Sequence, residues 1–250
     1  MATISEKLQL VRGRIHAAVS QFARPEGCVE LLAVSKTFPA VTIREAVAAG
    51  QHRFGENYVQ EALDKMTELA DLRSQIEWHM IGPIQSNKTR PIAEHFDWVH
   101  SVDRLKIAQR LSEQRPEELG PLNICLQVNI SAEASKSGLT PEQLPEVAAQ
   151  VAQLPRLRLR GLMAIPAPSD DMKQQRAAFA AVRGLYEQLR AGGLAMELHQ
   201  PLLLGLQQQL TQWPVGEPAR WWPIFAGLDA RVIAAAHGYL ALAFTLATPV

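Results

Sequence analysis

The sequence predicts an α/β protein, a (β/α)8 barrel of parallel strands with one extra helix at its N-terminus. Three observations carry this. The chain has 250 residues, a usual size for such a barrel in a single domain. Strand-like apolar runs alternate with helix-like segments six times before residue 195, the pattern of a parallel sheet with crossover helices. The strand runs also deliver polar residues at their C-terminal ends, the end at which a barrel gathers its functional groups.

The elements follow in order. Thr3 and Glu6 have capping-box spacing, and Ile4, Leu8, Val11, Ile15 and Val19 share one helical face, so the chain opens on an amphipathic helix. "CVELLAVSK" is a strand, and "VTIREAVAAG" is a short helix stopped by Gly50. "HRFGE" is a short strand, followed by a helix from Tyr58 to Leu72. "IEWHMIG" and "DWVHSVD" are strands, with a partly helical "SNKTRPIAEHF" between them and the helix "RLKIAQRLSEQ" after. "PLNICLQVNIS" and "RLRLRGLMAIP" are strands separated by the helix "TPEQLPEVAAQVAQL". "DMKQQRAAFAAVRGLYEQLRAGG" is a long helix that ends at its glycine pair. The even cadence favours a closed barrel over an open sheet.

Composition narrows the function classes. Apolar residues make up 47% of the chain, enough for a sizeable core, and the formal net charge is zero, so nothing global favours nucleic acid or an anionic membrane. The N-terminal "MATISEKLQLVRGRI" has charges throughout and no signal-peptide core, and no run of about 20 apolar residues reads as a membrane span. Cys28 and Cys125 both sit in apolar runs, as buried reduced thiols of a cytoplasmic protein do. No metal site is expected.

The polar strand ends are Lys36, Glu56 and Asn57, His79, Ser101, and Asn129 with Ser131. Each has an ordinary structural explanation. Asn57 can cap a helix, His79 can be a satisfied histidine under a loop, and Lys36 can lie in water. An apolar strand that ends on a lysine nonetheless raises a chemical alternative. A partly desolvated lysine has a share of neutral amine, which attacks aldehydes. One such partner is a sugar-phosphate aldehyde. Another is pyridoxal 5′-phosphate (PLP), which also needs an anion grip, normally supplied in barrels by the loops after strands 7 and 8.

The stretches "AVSKTFP", "FGENYVQEALDK", "EWHMIGPIQSNK", "VNISAEASKSG" and "RGLMAIPAP" closely resemble the pyridoxal phosphate homeostasis proteins, the YggS/PROSC-like family, in order from about Leu8 to about Ala195. The resemblance implies a barrel like the N-terminal barrel of alanine racemases, with Lys36 carrying PLP as a Schiff base. It implies that Asn57 lies beside the cofactor and that His79, Met80 and Met163 wall the pocket. Lys136 in "EASKSG" is a second lysine of a family motif and reads as a solvated loop charge. The resemblance implies PLP homeostasis without substrate turnover, with no catalytic residue and with PLP-dependent apo-enzymes as partners of a monomer or weak dimer. Racemisation by this fold needs a second acid/base on the opposite face of the cofactor. In alanine racemases a tyrosine of the partner's β-domain supplies it, and Tyr58, Tyr186 and Tyr239 sit in no comparable motif. The alternatives are a racemase-like fold type III enzyme and a truncated product with impaired cofactor binding.

From about residue 196 the family pattern stops. The serine-glycine and arginine-isoleucine-glycine motifs that the resemblance places after strands 7 and 8, around the PLP phosphate, are missing. No lysine follows Lys173, and Trp213, Trp221 and Trp222 cluster in this tail. Residues 1–250 are read as one domain, with strands 7 and 8 in doubt; a barrel left unclosed there would leave the edges of strands 1 and 6 unpaired. The tail from 196 to 250 is either a reading-frame slip, to which Arg220-Trp221-Trp222 points, or a divergent end that closes the barrel differently or binds a partner.

Overall fold

The computed structural model describes residues 3–132, 137–167, 169 and 171–194, together with the backbone of strands at 202–206, 232–236 and 240–243. Helix α1 (Ile4–Gln21) starts on the expected capping box. The Thr3 hydroxyl accepts from the Glu6 N–H at 3.2 Å, and the Glu6 carboxylate accepts from the Thr3 N–H at 2.7 Å. Its inner face buries Leu8, Ala18 and Val19. Arg12 ties the helix down by donating to the carbonyls of Ala49 and Gly50 and to the Gln51 amide oxygen.

The alternation then runs as expected: β1 (Val29–Val34), α2 (Ala40–Ala48), β2 (Arg53–Glu56), α3 (Val59–Glu68), β3 (Glu77–Met80), α4 (Thr89–His95), β4 (Trp98–Val102), α5 (Leu105–Gln114), β5 (Leu122–Val128), α6 (Leu144–Val151), β6 (Leu157–Ala164) and α7 (Met172–Ala191). Neighbouring strands from β1 to β6 all pair in parallel. The third helix stops short of the expected Leu72. After Glu68 the chain tightens into a 3-10 segment, Ala70–Gln75, and Arg73 turns it toward β3 by bonding the Ile76 carbonyl and the Asp97 carboxylate.

Side chains separate into two layers because successive strand residues point to opposite faces. The outer layer joins strands to helices and includes Leu31, Phe54, Trp78, Met80, Val99, Ile124 and Leu162. The inner layer is small: Leu32, Trp98, Cys125 and Met163, with Ile81 and Ile165 against it. Cys28 and Cys125 are both buried free thiols, and burial pushes the Cys125 thiol upward in pKa. Among the described residues no helix is long and apolar enough to cross a membrane.

At the end of the chain the sheet closes differently from the regular strand–helix cadence, as the divergent-end reading of the tail expects. The segment β7 (Leu202–Leu206) pairs in parallel with β1, and β8 (Val232–Ala236) pairs in parallel with β6. A ninth strand, β9 (Leu240–Ala243), lies between them and runs antiparallel to both, so the ring closes as β1-β2-β3-β4-β5-β6-β8-β9-β7. The antiparallel step has a simple cause. Residues 237–239 alone separate β8 from β9, and a parallel crossover needs a dozen or more residues. Among the described residues the parallel barrel expected from the sequence holds from β1 to β6, and the ring departs from the regular pattern at the doubtful strands 7 and 8, where the reversed β9 lies between β7 and β8.

Closure has a measurable consequence. Without the last three strands, β1 and β6 would present unpaired backbone edges, which invite association. A chain ending at Ala195 is expected to self-associate in light scattering under conditions where the full chain stays monodisperse. A monodisperse truncated chain with one sharp melting step would show that these strands contribute nothing to closure.

Candidate functional site

The inward phase of β1 leads to Lys36. Leu31 belongs to the outer layer and Leu32 to the inner one, so the two-residue period carries Leu32, Val34 and then Lys36 toward the barrel axis. Lys36 follows the last strand residue by two positions and is only partly exposed. Among the described residues its amine has no hydrogen bond or ion pair. Burial lowers its pKa from the ordinary lysine range, against the opposing pull of Glu56 and Glu61. An amine in that condition has a larger neutral, nucleophilic share than a solvated one.

The turn that carries Lys36 is strained and held. Thr37 adopts φ of +66°, a left-handed conformation that costs a β-branched residue about 1–2 kcal/mol. Five polar contacts hold the segment, the Phe38 N–H to the Ser35 carbonyl at 3.0 Å among them. The Ser35 N–H donates to the Gly55 carbonyl at 2.9 Å. The Ser35 hydroxyl donates to Glu56 Oε1 at 2.6 Å, and Lys65 Nζ donates to the Ser35 carbonyl at 2.7 Å. The Thr37 N–H donates to Glu61 Oε1 at 2.5 Å. Lys65 also pairs with Glu56 at 2.8 Å and with Glu61 at 2.6 Å. Glu56 is fully buried, and its Oε2 has no hydrogen-bond partner; burial raises its pKa against the bonds from Lys65 and Ser35. The sequence reading named Glu56 as a strand end but missed Glu61 and Lys65. A signal was present: Lys65 lies on the buried stripe of α3 with Ala62 and Met66, where an ammonium requires a partner.

Asn57 follows β2 directly, beside this cluster. It makes no helix cap: the N-cap of α3 is Tyr58, and no side chain bonds there. The Asn57 amide oxygen is buried and unpartnered. Its backbone is pressed against the end of β3, where a Cβ on Gly82 would lie 2.2 Å from the Asn57 carbonyl oxygen. Only glycine fits that approach. Ser101 locks Gly82 by donating to its carbonyl at 2.5 Å.

Below this rim the interior is polar and paired. His79 is fully buried, with Nδ1 2.8 Å from His100 Nε2 and Nε2 2.9 Å from Glu77 Oε1. Glu77 also meets Arg53 at 3.0 Å, and Arg53 reaches Glu30 at 2.5 Å. The rings of His79 and Trp98 stack at 5.6 Å, with the Arg160 guanidinium 6.0 Å over Trp98. Burial raises the Glu77 carboxyl, but His79 and Arg53 outweigh it and bring its pKa down to about 2. Met163 belongs to the inner layer and faces the interior. Met80 does not: adjacent to inward His79, it points outward among the helices. The structure therefore brings Lys36 and Asn57 to one rim, places His79 and Met163 inside the barrel, and puts Met80 on the other face of the sheet. Ser131 accepts from the Ala167 N–H. Lys136 and the segments expected to meet a phosphate, Arg220-Trp221-Trp222 included, lie outside the described residues.

Residues 12–200 match the family described as alanine racemase, N-terminal domain. The chain is similar to the pyridoxal phosphate homeostasis protein of Pseudomonas aeruginosa, 58% identical over 221 residues, covering 88% of this chain and 92% of that protein. It is also similar to the protein of the same name from Escherichia coli K12, 52% identical over 204 residues, 78% of this chain and 87% of the other. Of 250 residues, 88% is 220, so the first match runs past residue 195 into the tail. Among solved structures, PipY of Synechococcus elongatus with PLP bound superposes with a TM-score of 0.65 at 38% identity, over 76% of this chain and 83% of PipY. An alanine racemase of Clostridium difficile shares the fold alone, with a TM-score of 0.59 at 11% identity, over 81% of this chain and 52% of the racemase.

The buried histidine pair has a pH signature. Burial and then the charge of His79 hold the His100 pKa well below 6.5. The unfolded chain therefore binds a proton below about pH 6.5 that the folded chain refuses, and stability falls as pH drops through that value, by up to about 1.4 kcal/mol per pH unit. Glu77 acts only nearer its unfolded range, about pH 4.3 and below. Urea unfolding at pH 7.5, 6.5 and 5.5 should show this decline, and His100→Gln should flatten it. An unchanged slope in the variant would show that His100 is not its source.

Proposed function

The chain belongs to the pyridoxal phosphate homeostasis proteins, built on the alanine racemase N-terminal barrel, and from that premise we propose that it binds PLP reversibly through Lys36 and carries it without turning over a substrate. The observation that carries the reading is the amine itself: partly desolvated, unpartnered among the described residues, and carried on the inward phase of β1 to the rim beside Asn57. The solved PipY structure with PLP bound, at 38% identity, supports it.

The rim fits the cofactor chemically. Bound PLP supplies an aldehyde carbon that condenses with an amine, releasing one water. Lys36 has to present Nζ uncharged for that, and burial moves it in that direction. The unpartnered Asn57 oxygen offers an acceptor to a ring donor of the ligand. His79 and Met163, beneath, act as floor rather than as reacting groups. His79 is already engaged at both ring nitrogens, and Met163 is apolar and buried. Met80 faces the helices and stays outside this assignment. Tyr186 is buried against the outer face of the sheet, away from the axis. PLP-dependent apo-enzymes are the recipients this reading assigns, and the cytoplasm is its compartment.

Borohydride reduction of PLP-treated protein, followed by peptide mass analysis, should find a pyridoxyl group on Lys36. Lys36→Ala should abolish the label, and so should Lys36→Arg, because a guanidinium does not deprotonate. A label chiefly on another lysine would overturn the assignment. Amino-acid racemisation that Lys36→Ala removes would favour the enzyme reading.

Retention is a separate matter. A charge-assisted hydrogen bond to a phosphate is worth about 1.5–3 kcal/mol. The tail after residue 196 lacks the grip motifs that the family resemblance places there. Losing two such bonds weakens binding by roughly two to four orders of magnitude. Dialysis should therefore strip PLP from this chain, while a chimera carrying family-type segments after residue 196 keeps it. Full retention by the unaltered chain would show that its tail holds the phosphate in its own way.

A further inference from the structure

We propose that Glu56, Glu61 and Lys65 form a positioning clamp that fixes the two peptide groups flanking Lys36 and thereby aims its amine into the barrel mouth. None of the three needs to touch a ligand for this. Lys65 Nζ donates to the carbonyl of the peptide joining Ser35 to Lys36, at 2.7 Å. Glu61 Oε1 accepts the N–H of the peptide joining Lys36 to Thr37, at 2.5 Å. Glu56 accepts from the Ser35 hydroxyl at 2.6 Å and pairs with Lys65 at 2.8 Å, anchoring the clamp to β2. The left-handed Thr37 is the residue the clamp has to keep in place.

Three features separate this cluster from an ordinary surface ion pair. Lys65 is 5% exposed and Glu56 0%, so neither charge is solvated by default. A buried pair that also bonds backbone on a neighbouring strand fixes that backbone's position. The cluster also faces the amine electrically, because Glu56 and Glu61 oppose the effect of burial on Lys36. With Lys36 protonated the group holds two ammoniums and two carboxylates. With Lys36 neutral it is left with an excess carboxylate, so the clamp resists loss of the Lys36 proton while burial favours it.

The aim of the amine matters through the PLP reading above, so the test includes measurements that need no PLP. In the full chain without PLP, amide hydrogen exchange at Thr37 should be slow. Glu61→Ala should speed it by about tenfold or more, since the amide loses its acceptor. Glu61→Gln keeps an acceptor and should stay near the parent rate. Reductive methylation with labelled formaldehyde, followed by NMR titration, reads Lys36 directly. Its midpoint should fall in both variants, because both remove the same negative charge. PLP trapping by borohydride should then slow by about tenfold or more in Glu61→Ala and less in Glu61→Gln, as misplacement of a reacting group predicts. Rapid Thr37 exchange in the parent chain, or exchange unchanged by Glu61→Ala, would overturn the clamp. So would a Lys36 midpoint that neither variant moves. If the exchange and titration behave as stated but PLP never labels Lys36, the clamp stands and the PLP reading falls.

Discussion

A side chain on a strand closed into a ring has two places to go, the axis or the helices, and its neighbour must take the other. The molecule is organised by that constraint. On β1 it sends Leu31 outward and Leu32 inward, and the same inward phase continued past Val34 leads to Lys36 at the strand end. On β3 it sends Trp78 and Met80 out and leaves Glu77, His79 and Ile81 for the interior. The axis is then stratified. Arg53, Glu77, His79 and His100 form a paired polar base around Trp98, Leu32, Cys125 and Met163 pack as an apolar group, and Lys36 with Asn57 stands at the rim.

Among the described residues buried charge is held by partners: Arg115 bonds the carbonyls of Ala93, Phe96, Leu119 and Gly120, and two ion-paired sets serve different ends. The interior set runs from Glu30 through Arg53, Glu77 and His79 to His100, and nearly every polar atom along it is engaged; His100 Nδ1 is an exception. The second set, Glu56, Glu61 and Lys65, lies on the helix side; replacing a buried ion pair with well-packed apolar residues is often neutral or stabilising. Breaking such a pair by removing one partner costs about 3–5 kcal/mol, because the other is left buried and charged. Bonds to the backbone on each side of Lys36 account for its presence better than stability does.

Legibility in the sequence followed the range of the interactions. The capping box of α1, the six strand–helix units and the glycine stop of α2 are local, and all were readable. The places of Lys36 and Asn57 just after β1 and β2 are legible because strand ends are. Met80 was misplaced by taking His79 and Met80 together as pocket wall, which the two-residue period forbids. The partnership of Lys65 with β1 was hidden because it spans 30 residues of chain, although a lysine on an apolar helix stripe already demanded a partner. The last strands were hidden for another reason. After Gly193 the regular cadence ends, and a reversed ninth strand has no counterpart in the preceding pattern.

The position of the clamp along the chain separates two jobs that a cofactor holder has to do. Among the described residues the polar contacts of the Lys36 turn lie between Ser35 and Lys65: the bond of Ser35 to Gly55, the turn bond from Phe38, the two carboxylates, and the ammonium between them. These contacts close within one β-α-β-α unit and use no residue of β7, β8 or β9. The loops a barrel normally devotes to phosphate come from the opposite end of the chain. The contacts of the Lys36 turn and the loops a barrel normally devotes to phosphate thus come from different parts of the sequence, joined through β1, which pairs with β7 up to Ala33, so changes that keep this pairing should combine nearly additively. A change at the end of the chain can then alter how long a ligand stays while leaving the direction and protonation of Lys36 as they are. The converse holds for α3: a change at Glu61 reaches the amine through a single peptide group and leaves the closing strands untouched.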